Sequence, residues 1–285
     1  MAYILWQGQI MKEATAQASL FDRGYQFGDG IYEMVRLYDG QFFALQKHLE
    51  RLNKSAEKLD MTLPYTSAEL THLLYQLIQK DHADNGNVYV QVTRGTSTRD
   101  HLYSRTETPI LSAYLLPQKD HRQAHTSGIA AYVTEDIRWL RCDIKSLNLL
   151  GNVMAKRQAA DHQCTEAIFH RDGMITEGAS TNIFLVNNGT LYTHPANNFI
   201  LDGITRQEVI DIAEERHINV VQEPFPKEVL AHADEAFLTG TTIEIMPIHS
   251  FTGDVQVTLP IGPITKRIQE AFTARIGITT TNTSS

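Results

Sequence analysis

The chain of 285 residues is 42% hydrophobic and 20% charged, ordinary values for a globular protein, and its length favours two domains over one. Its formal net charge of −8 argues against a nucleic-acid or anionic-membrane surface, since either needs a basic face. No apolar run approaches the roughly 20 residues of a membrane-spanning helix, so no membrane partner is expected.

In chain order, the opening MAYILWQGQI has no basic n-region and no small-residue cleavage site, so no signal peptide is expected and the expected location is cytoplasmic. IYEMVRLYDGQFFAL predicts two strands around an Asp39-Gly40 turn. A helix follows, with Leu45, Leu49, Leu52, Ala56 and Leu59 on one stripe. Thr66 and Glu69 form a capping-box pattern ahead of Leu70, Leu73, Leu74, Leu77 and Ile78, which are spaced for one helical face. NVYVQVTRGTS reads as a strand entering a polar loop, and TPILSAYLL as another strand. PQKDHRQAHTSG is polar, carries Pro and Gly, and reads as a linker.

In LRCDIKSLN, Leu140, Cys142 and Ile144 alternate with Arg141, Asp143 and Lys145, as in a strand with one wet face. LLGNVMAKRQAADH predicts a helix, and two hairpins follow, turning at Asp172-Gly173 and Asn188-Gly189. Thr205 and Glu208 form a second capping-box pattern that opens the helix RQEVIDIAEERH. Pro226 suits the first position of a short helix, and Pro263 opens the last one, with Ile264, Ile268 and Phe272 at four-residue spacing. The expected class is α+β. A smaller N-terminal α/β domain spans 1–116, a linker 117–127, a larger domain of hairpins and helices 128–278, and a flexible tail 279–285.

Four features carry potential chemistry. Lys145, taken alone, is either a solvated lysine or an amine whose pKa burial or the nearby Arg138 and Arg141 lower enough for Schiff-base chemistry; position alone leaves both open. In GITRQE, Thr205 at a helix start either caps the helix or joins its free amides in binding a phosphate. TGTTIE, after the strand EAFL, is a second polar turn of the same kind. Glu177, at the end of a hairpin arm in EGASTNIF, is a surface carboxylate by default or the partner of a buried cation. Gly24, Gly28 and Gly30 lack the spacing and the strand-turn-helix context of a dinucleotide fingerprint, and no Walker pattern is present. Cys142 and Cys164 make no disulfide framework, and the 12 histidines show no metal-ligand spacing, so no metal is expected.

A Schiff-base lysine, a phosphate cup and a carboxylate able to pair a pyridinium together describe a pyridoxal 5'-phosphate site. Glu177, Asn182-Ile183-Phe184, Leu191, Thr193, Leu201, Gly203, Ile204 and Arg206, with Lys145 upstream, are similar in type and spacing to the signature of the class IV (fold type IV) aminotransferases. RGYQFGDGIYE and VTRGTSTRDHL resemble the D-amino-acid aminotransferase branch, and the likeness covers nearly the whole chain.

That resemblance implies a two-domain fold with the cofactor held between the domains. It implies that Lys145 is the catalytic residue, binding the cofactor as a Schiff base and then moving a proton, and that Glu177 pairs with the pyridine nitrogen. Arg51, Ile204, Thr205 and Thr241 match the phosphate contacts, and Leu201 lies behind the ring unless it is plain core packing. Ala179 and Gly240 depart from the family, standing where serines are common. Tyr32, Arg99 and His101 match the branch's trap for the substrate carboxylate, with the loop of Arg99 and His101 reaching in from a partner subunit of a homodimer. The implied reaction is ping-pong transfer of an amino group from D-alanine to 2-oxoglutarate, with D-amino acids and 2-oxo acids as the small-molecule partners. A branched-chain L-amino-acid aminotransferase shares the core signature but should lack the Arg99/His101 pair. Aminodeoxychorismate lyase and R-amine transaminases share the fold without needing that trap. A non-catalytic cofactor-binding relative would be expected to lose Lys145 or Glu177, and both are present.

Overall fold

The computed structural model describes residues 2–281, with side chains described as far as Gly277. The chain divides into two compact units, one holding residues up to Gln118 together with Ile144–Asn148, the other Lys119–Asp143 and Leu149–Gly277.

The first unit is built on a six-stranded antiparallel sheet of order β2-β1-β6-β5-β3-β4. Its elements are β1 (Tyr3–Trp6), β2 (Gln9–Lys12), α1 (Arg23–Phe27), β3 (Gly30–Tyr38), β4 (Gln41–Phe42), α2 (Leu45–Lys58), α3 (Ser67–Lys80), β5 (Gly86–Thr93) and β6 (Ile110–Leu116). The β3–β4 turn has φ of 46° at Asp39 and 76° at Gly40, the double left-handed geometry that an Asp-Gly pair tolerates. The stripe on α2 buries Leu49, Leu52 and Ala56, and α3 buries Leu70, Leu74, Leu77 and Ile78. Both join Ile31, Val35, Leu37, Val88 and Val90 of the sheet in one core. The Thr66–Glu69 capping box is present, each side chain bonded to the other's backbone N–H.

The segment around Lys145 differs from the expected strand. Its burial alternates as the sequence predicts, with Cys142, Ile144 and Ser146 buried, but it makes only one isolated antiparallel bridge, Ser146 to Ile31. Two main-chain hydrogen bonds, Tyr32 N–H to Lys145 C=O and Leu147 N–H to Gly30 C=O, both 3.0 Å, lay it along the start of β3.

The second unit holds a ten-stranded mixed sheet of order β12-β11-β10-β14-β15-β7-β8-β9-β13, with β16 paired to β15. Its strands are β7 (Ile129–Glu135), β8 (Glu166–Arg171), β9 (Met174–Gly178), β10 (Asn182–Asn187), β11 (Thr190–Thr193), β12 (Val220–Gln222), β13 (Phe225–Pro226), β14 (Glu235–Gly240), β15 (Glu244–Gly253) and β16 (Val257–Thr258). Its helices are α4 (Arg122–Ser127), inside the stretch read as a linker, α5 (Leu150–Asp161), α6 (Ile204–Glu215) and α7 (Pro263–Thr281). Asp172-Gly173 and Asn188-Gly189 turn the two predicted hairpins with all four φ angles positive.

Three boundaries depart from the sequence expectation. Helix α6 is capped by Gly203 and starts at Ile204, so Thr205 is its second residue and caps nothing; Glu208, instead of reaching back, accepts a 2.8 Å bond from Arg275. Pro226 stands just ahead of a 3₁₀ turn, Lys227–His232, rather than first in an α-helix. Of the tail expected at 279–285, residues 279–281 continue α7 and 282–285 lie outside the described residues.

Candidate active site

In the first unit, β3 sorts its residues onto two faces. Glu33 points into the α2 side, where it is fully buried and accepts two bonds from the Arg51 guanidinium, 2.7 Å from Nε and 2.8 Å from Nη2. His48, one turn earlier on α2, lies 2.7 Å from the same carboxylate through Nδ1. Burial alone would raise the Glu33 pKa, but Arg51, seconded by His48, holds it well below the usual carboxylate range. Burial pushes His48 the other way, below its ordinary value, so the ring is neutral at physiological pH and donates Nδ1–H. The result is an arginine whose head is fixed by a bidentate carboxylate.

Tyr32 takes the opposite face. Its ring stacks on Tyr89 at 5.6 Å and carries the Lys145 ammonium 4.3 Å from its centroid. The Lys145 main chain is pinned on both sides, its N–H to Ser55 Oγ at 3.3 Å and its C=O to Tyr32 N–H. Arg99 and His101 are exposed on the loop between β5 and β6, and both rest on Phe27, at 4.6 Å for the guanidinium and 5.6 Å for the imidazole ring.

In the second unit, Glu177 closes β9 at 4% exposure. Arg138 Nη1 donates to its Oε1 at 2.8 Å, while Leu201 N–H and Asn182 Nδ2 donate to its Oε2 at 3.0 and 3.2 Å. Burial outweighs these donors and raises the carboxyl to about 7, with the charge of Asp136 adding to the rise. Asn182 also bonds Leu201 C=O at 2.8 Å, so Leu201 is locked beside the carboxylate at both main-chain groups. Arg138 is itself held in a fork by Asp136, with both bonds at 2.9 Å, and lies over Phe169. Arg138 and Arg141 are the two cations that the sequence offered as one way to lower the Lys145 pKa. Arg138 pairs with Asp136 and Glu177, and Arg141 pairs with Asp143 at 2.9 Å.

The phosphate candidates are gathered at two turns of this unit. Ile204 and Thr205 are the buried first residues of α6, whose leading amides have no intrahelical partner. Thr241 is half-buried in the turn between β14 and β15. Thr181 Oγ1 and Thr239 Oγ1 are buried without a hydrogen-bond partner among the described residues, and a Cβ at Gly240 would stand 3.6 Å from Thr181 Cγ2. Unpartnered buried hydroxyls are costly in a protein interior, so both keep hydrogen-bonding capacity to offer. They lie near Ala179 and Gly240, the two positions where the sequence departs from the pattern it resembles. The residues therefore fit a phosphorylated pyridine: a carboxylate for its nitrogen, helix amides and hydroxyls for its phosphate. Among the described residues, no group of three or more His, Cys, Asp or Glu side chains is arranged to hold a metal ion.

Residues 30–251 match the model of the amino-transferase class IV family. The chain is 43% identical over 273 residues to a D-alanine aminotransferase of Staphylococcus epidermidis, covering 95% of this chain and 97% of the relative. It is 41% identical over 269 residues to the D-alanine aminotransferase of Bacillus licheniformis, covering 94% and 95% of the two chains. The crystal structure of a branched-chain aminotransferase from Thermoproteus uzoniensis superposes with a TM-score of 0.87 at 28% identity, covering 96% of this chain and 94% of that one. With the family model matched over residues 30–251 and relatives 41% to 43% identical over nearly the whole chain, the chain belongs to the class IV aminotransferases.

Proposed function

We propose that the protein is a pyridoxal phosphate-dependent transaminase of D-amino acids, taking the amino group of D-alanine and passing it to 2-oxoglutarate, with pyruvate and D-glutamate as products. The observation that carries the substrate assignment is the pair Arg99 and His101 held on one phenyl ring, a ready-made set of charge-assisted donors for a carboxylate. D-alanine aminotransferases at 41% to 43% identity support the same choice. The fold alone is shared with the branched-chain enzyme of T. uzoniensis, so it does not choose between L and D substrates.

When bound, the cofactor supplies an electron sink for the pair released at the substrate Cα. Lys145 would hold it covalently through Nζ; once the substrate amino group has taken that place, the freed amine would remove the Cα proton and return a proton on one fixed face. The contact with the Tyr32 ring and the pinned main chain restrict the position of the amine for this transfer. Glu177, when ionised, keeps a proton on the pyridine nitrogen, and Arg138 and Asn182 keep the carboxylate aimed. Arg51, oriented by Glu33, and Ile204, Thr205 and Thr241 are the residues that would hold the cofactor's phosphate. Leu201 backs the ring. Tyr32, Arg99 and His101 hold the substrate carboxylate.

The working unit in this proposal is a homodimer in which Arg99 and His101 serve the partner's site. Leu20, Phe21, Tyr25 and Leu102 support it, being exposed by 61% to 82% on segments flanking the pair. The proposed location is the cytoplasm. Both cysteines are free thiols, and no helix among the described residues is long and apolar enough to cross a membrane.

The test is to load the purified protein with cofactor and mix it with D-alanine, and separately with L-leucine, without any oxo acid. The visible band should bleach with D-alanine. Bleaching by L-leucine alone would keep the cofactor assignment and overturn the substrate. A protein that cannot be made yellow with pyridoxal phosphate would overturn both.

A further inference from the structure

Resting on the assignment of Arg99 and His101 to the substrate carboxylate, we propose that Arg23, Phe27 and Asp29 form the mount that fixes those two side chains, with Arg23 as a positioning residue for substrate binding. The loop from 94 to 109 joins β5 to β6 and carries both trap residues. Its first turn is tied to α1 by Arg23 N–H to Gly95 C=O at 2.8 Å and by an antiparallel bridge between Asp22 and Thr96.

Arg23 is 3% exposed, and its head is divided among three acceptors. Nε bonds Asp29 Oδ2 at 2.8 Å, Nη1 bonds Asp100 C=O at 2.7 Å, and Nη2 bonds His101 C=O at 3.3 Å. The two carbonyls belong to the residues directly after Arg99. Arg94, equally buried, shares Asp29 at 2.8 Å and spends its remaining donors on the carbonyls of Leu59 and Asp60. One carboxylate thus balances two buried guanidiniums, and what is left of their donor capacity anchors main chain. A planar guanidinium can serve a carboxylate and two carbonyls at once, whereas an ammonium lacks that fork.

Phe27, at the other end of α1, is the platform. Arg23 lies 4.8 Å from its ring centroid, Arg99 4.6 Å, and the His101 ring meets it edge-on at 5.6 Å. Held in this way, Arg99 and His101 keep their polar edges free while their side-chain freedom is already reduced before substrate arrives. Ordering a rotamer-rich side chain on binding costs affinity, and a mount that has already ordered it removes that cost. The consequence falls on substrate affinity and not on proton transfer at Lys145.

The experiment uses the cofactor-loaded enzyme and three variants, Arg23→Lys, Phe27→Leu and Arg99→Ala, with KM and kcat for D-alanine, the visible spectrum and the thermal midpoint measured for each. Arg23→Lys loses charge-assisted bonds to the loop, and KM should rise roughly tenfold to a hundredfold with kcat within about threefold. Phe27→Leu, which leaves Arg23 and Asp29 in place, should raise KM about fivefold. The spectrum should not change in either. If Arg99→Ala leaves KM at the wild-type value, the carboxylate assignment fails and the mount falls with it. If Arg99→Ala raises KM while folded Arg23→Lys and Phe27→Leu do not, the trap stands and the mount is wrong. A loss of kcat or of thermal stability at constant KM would likewise overturn it, reducing Arg23 to a structural residue. Should Arg23→Lys fail to fold, Phe27→Leu decides alone.

Discussion

Replacing Glu177 with glutamine should change the pH dependence of stability of the cofactor-free protein. The carboxyl is buried, and burial raises it from an ordinary 4.5 to about 7 against the pull of Arg138 and the Leu201 amide. Asp136 adds to the rise, and Arg206 also lies within electrostatic reach. Because the folded state keeps this proton to higher pH than the unfolded chain does, folding binds protons between the two values. Stability from this group therefore falls as pH rises through that window and stays lost above it. Between pH 5 and pH 8 the loss is about 2 to 3 kcal/mol, from 1.36 kcal/mol per pKa unit. For a chain of this length, with an unfolding entropy near 2.1 cal/mol/K per residue, that moves the thermal midpoint by about 4 °C. Glutamine does not titrate. Its amide must, however, turn its NH₂ toward either Arg138 or the Asn182 and Leu201 donors, a mismatch worth roughly 1 to 3 kcal/mol at every pH. The measurement is therefore the change in the gap between wild type and Glu177→Gln, read by thermal unfolding at pH 5 and pH 8. Wild type should lose about 4 °C relative to the variant across that range. A gap that stays constant would mean Glu177 is ionised throughout, with the Arg138 pair outweighing burial.

Lys145→Ala should lose nearly all transamination while keeping its thermal midpoint within a few degrees; an unimpaired variant would remove Nζ from the chemistry. Glu33→Ala leaves Arg51 and His48 without their shared carboxylate and should cost about 3 to 5 kcal/mol in denaturant unfolding. Since the Glu33 pKa is depressed, the wild-type advantage should be flat at neutral pH and shrink only as pH falls through and below the ordinary carboxylate range; an advantage that grew in acid would contradict the pairing. Thr66→Ala removes the capping box of α3 and should cost about 1 kcal/mol with kcat and KM unchanged, a combination checked by parallel unfolding and kinetic measurements.

What could be read from the sequence was what short-range geometry encodes. Asp39-Gly40, Asp172-Gly173 and Asn188-Gly189 announce their hairpins because few other pairs accept two consecutive positive φ angles, and all three turns form. Thr66 and Glu69 announce α3 because both halves of the reciprocal bond lie within four residues. Thr205 and Glu208 show the same pattern and fail, since Arg275, 67 residues away, claims the glutamate. Lys145 and Glu177 stand out only when read together with the family signature. Arg138 stands out only as a cation near Lys145 in sequence; its bond to Glu177 is not legible, because it depends on a residue 39 positions distant arriving beside it.

The stretch RGYQFGD shows the same divide from the other side. Its glycines, with Gly30 directly after it, are wrongly spaced for a dinucleotide loop, and the structure gives them two tasks. A Cβ at Gly24 would stand 2.4 Å from Thr93 Cγ2, and one at Gly30 would stand 2.7 Å from Val92 C=O, so both allow backbone to close on β5. Gly28 ends α1 in the left-handed region at φ 68°, which turns the chain directly into β3. Close packing at Gly24 and a sharp exit at Gly28 seat a five-residue helix against the sheet, and only a helix seated there presents Arg23 to the carbonyls of Asp100 and His101 while Phe27 lies beneath Arg99. The residue spacing that excluded one phosphate motif is thus the spacing that sets the loop expected to grip the substrate carboxylate.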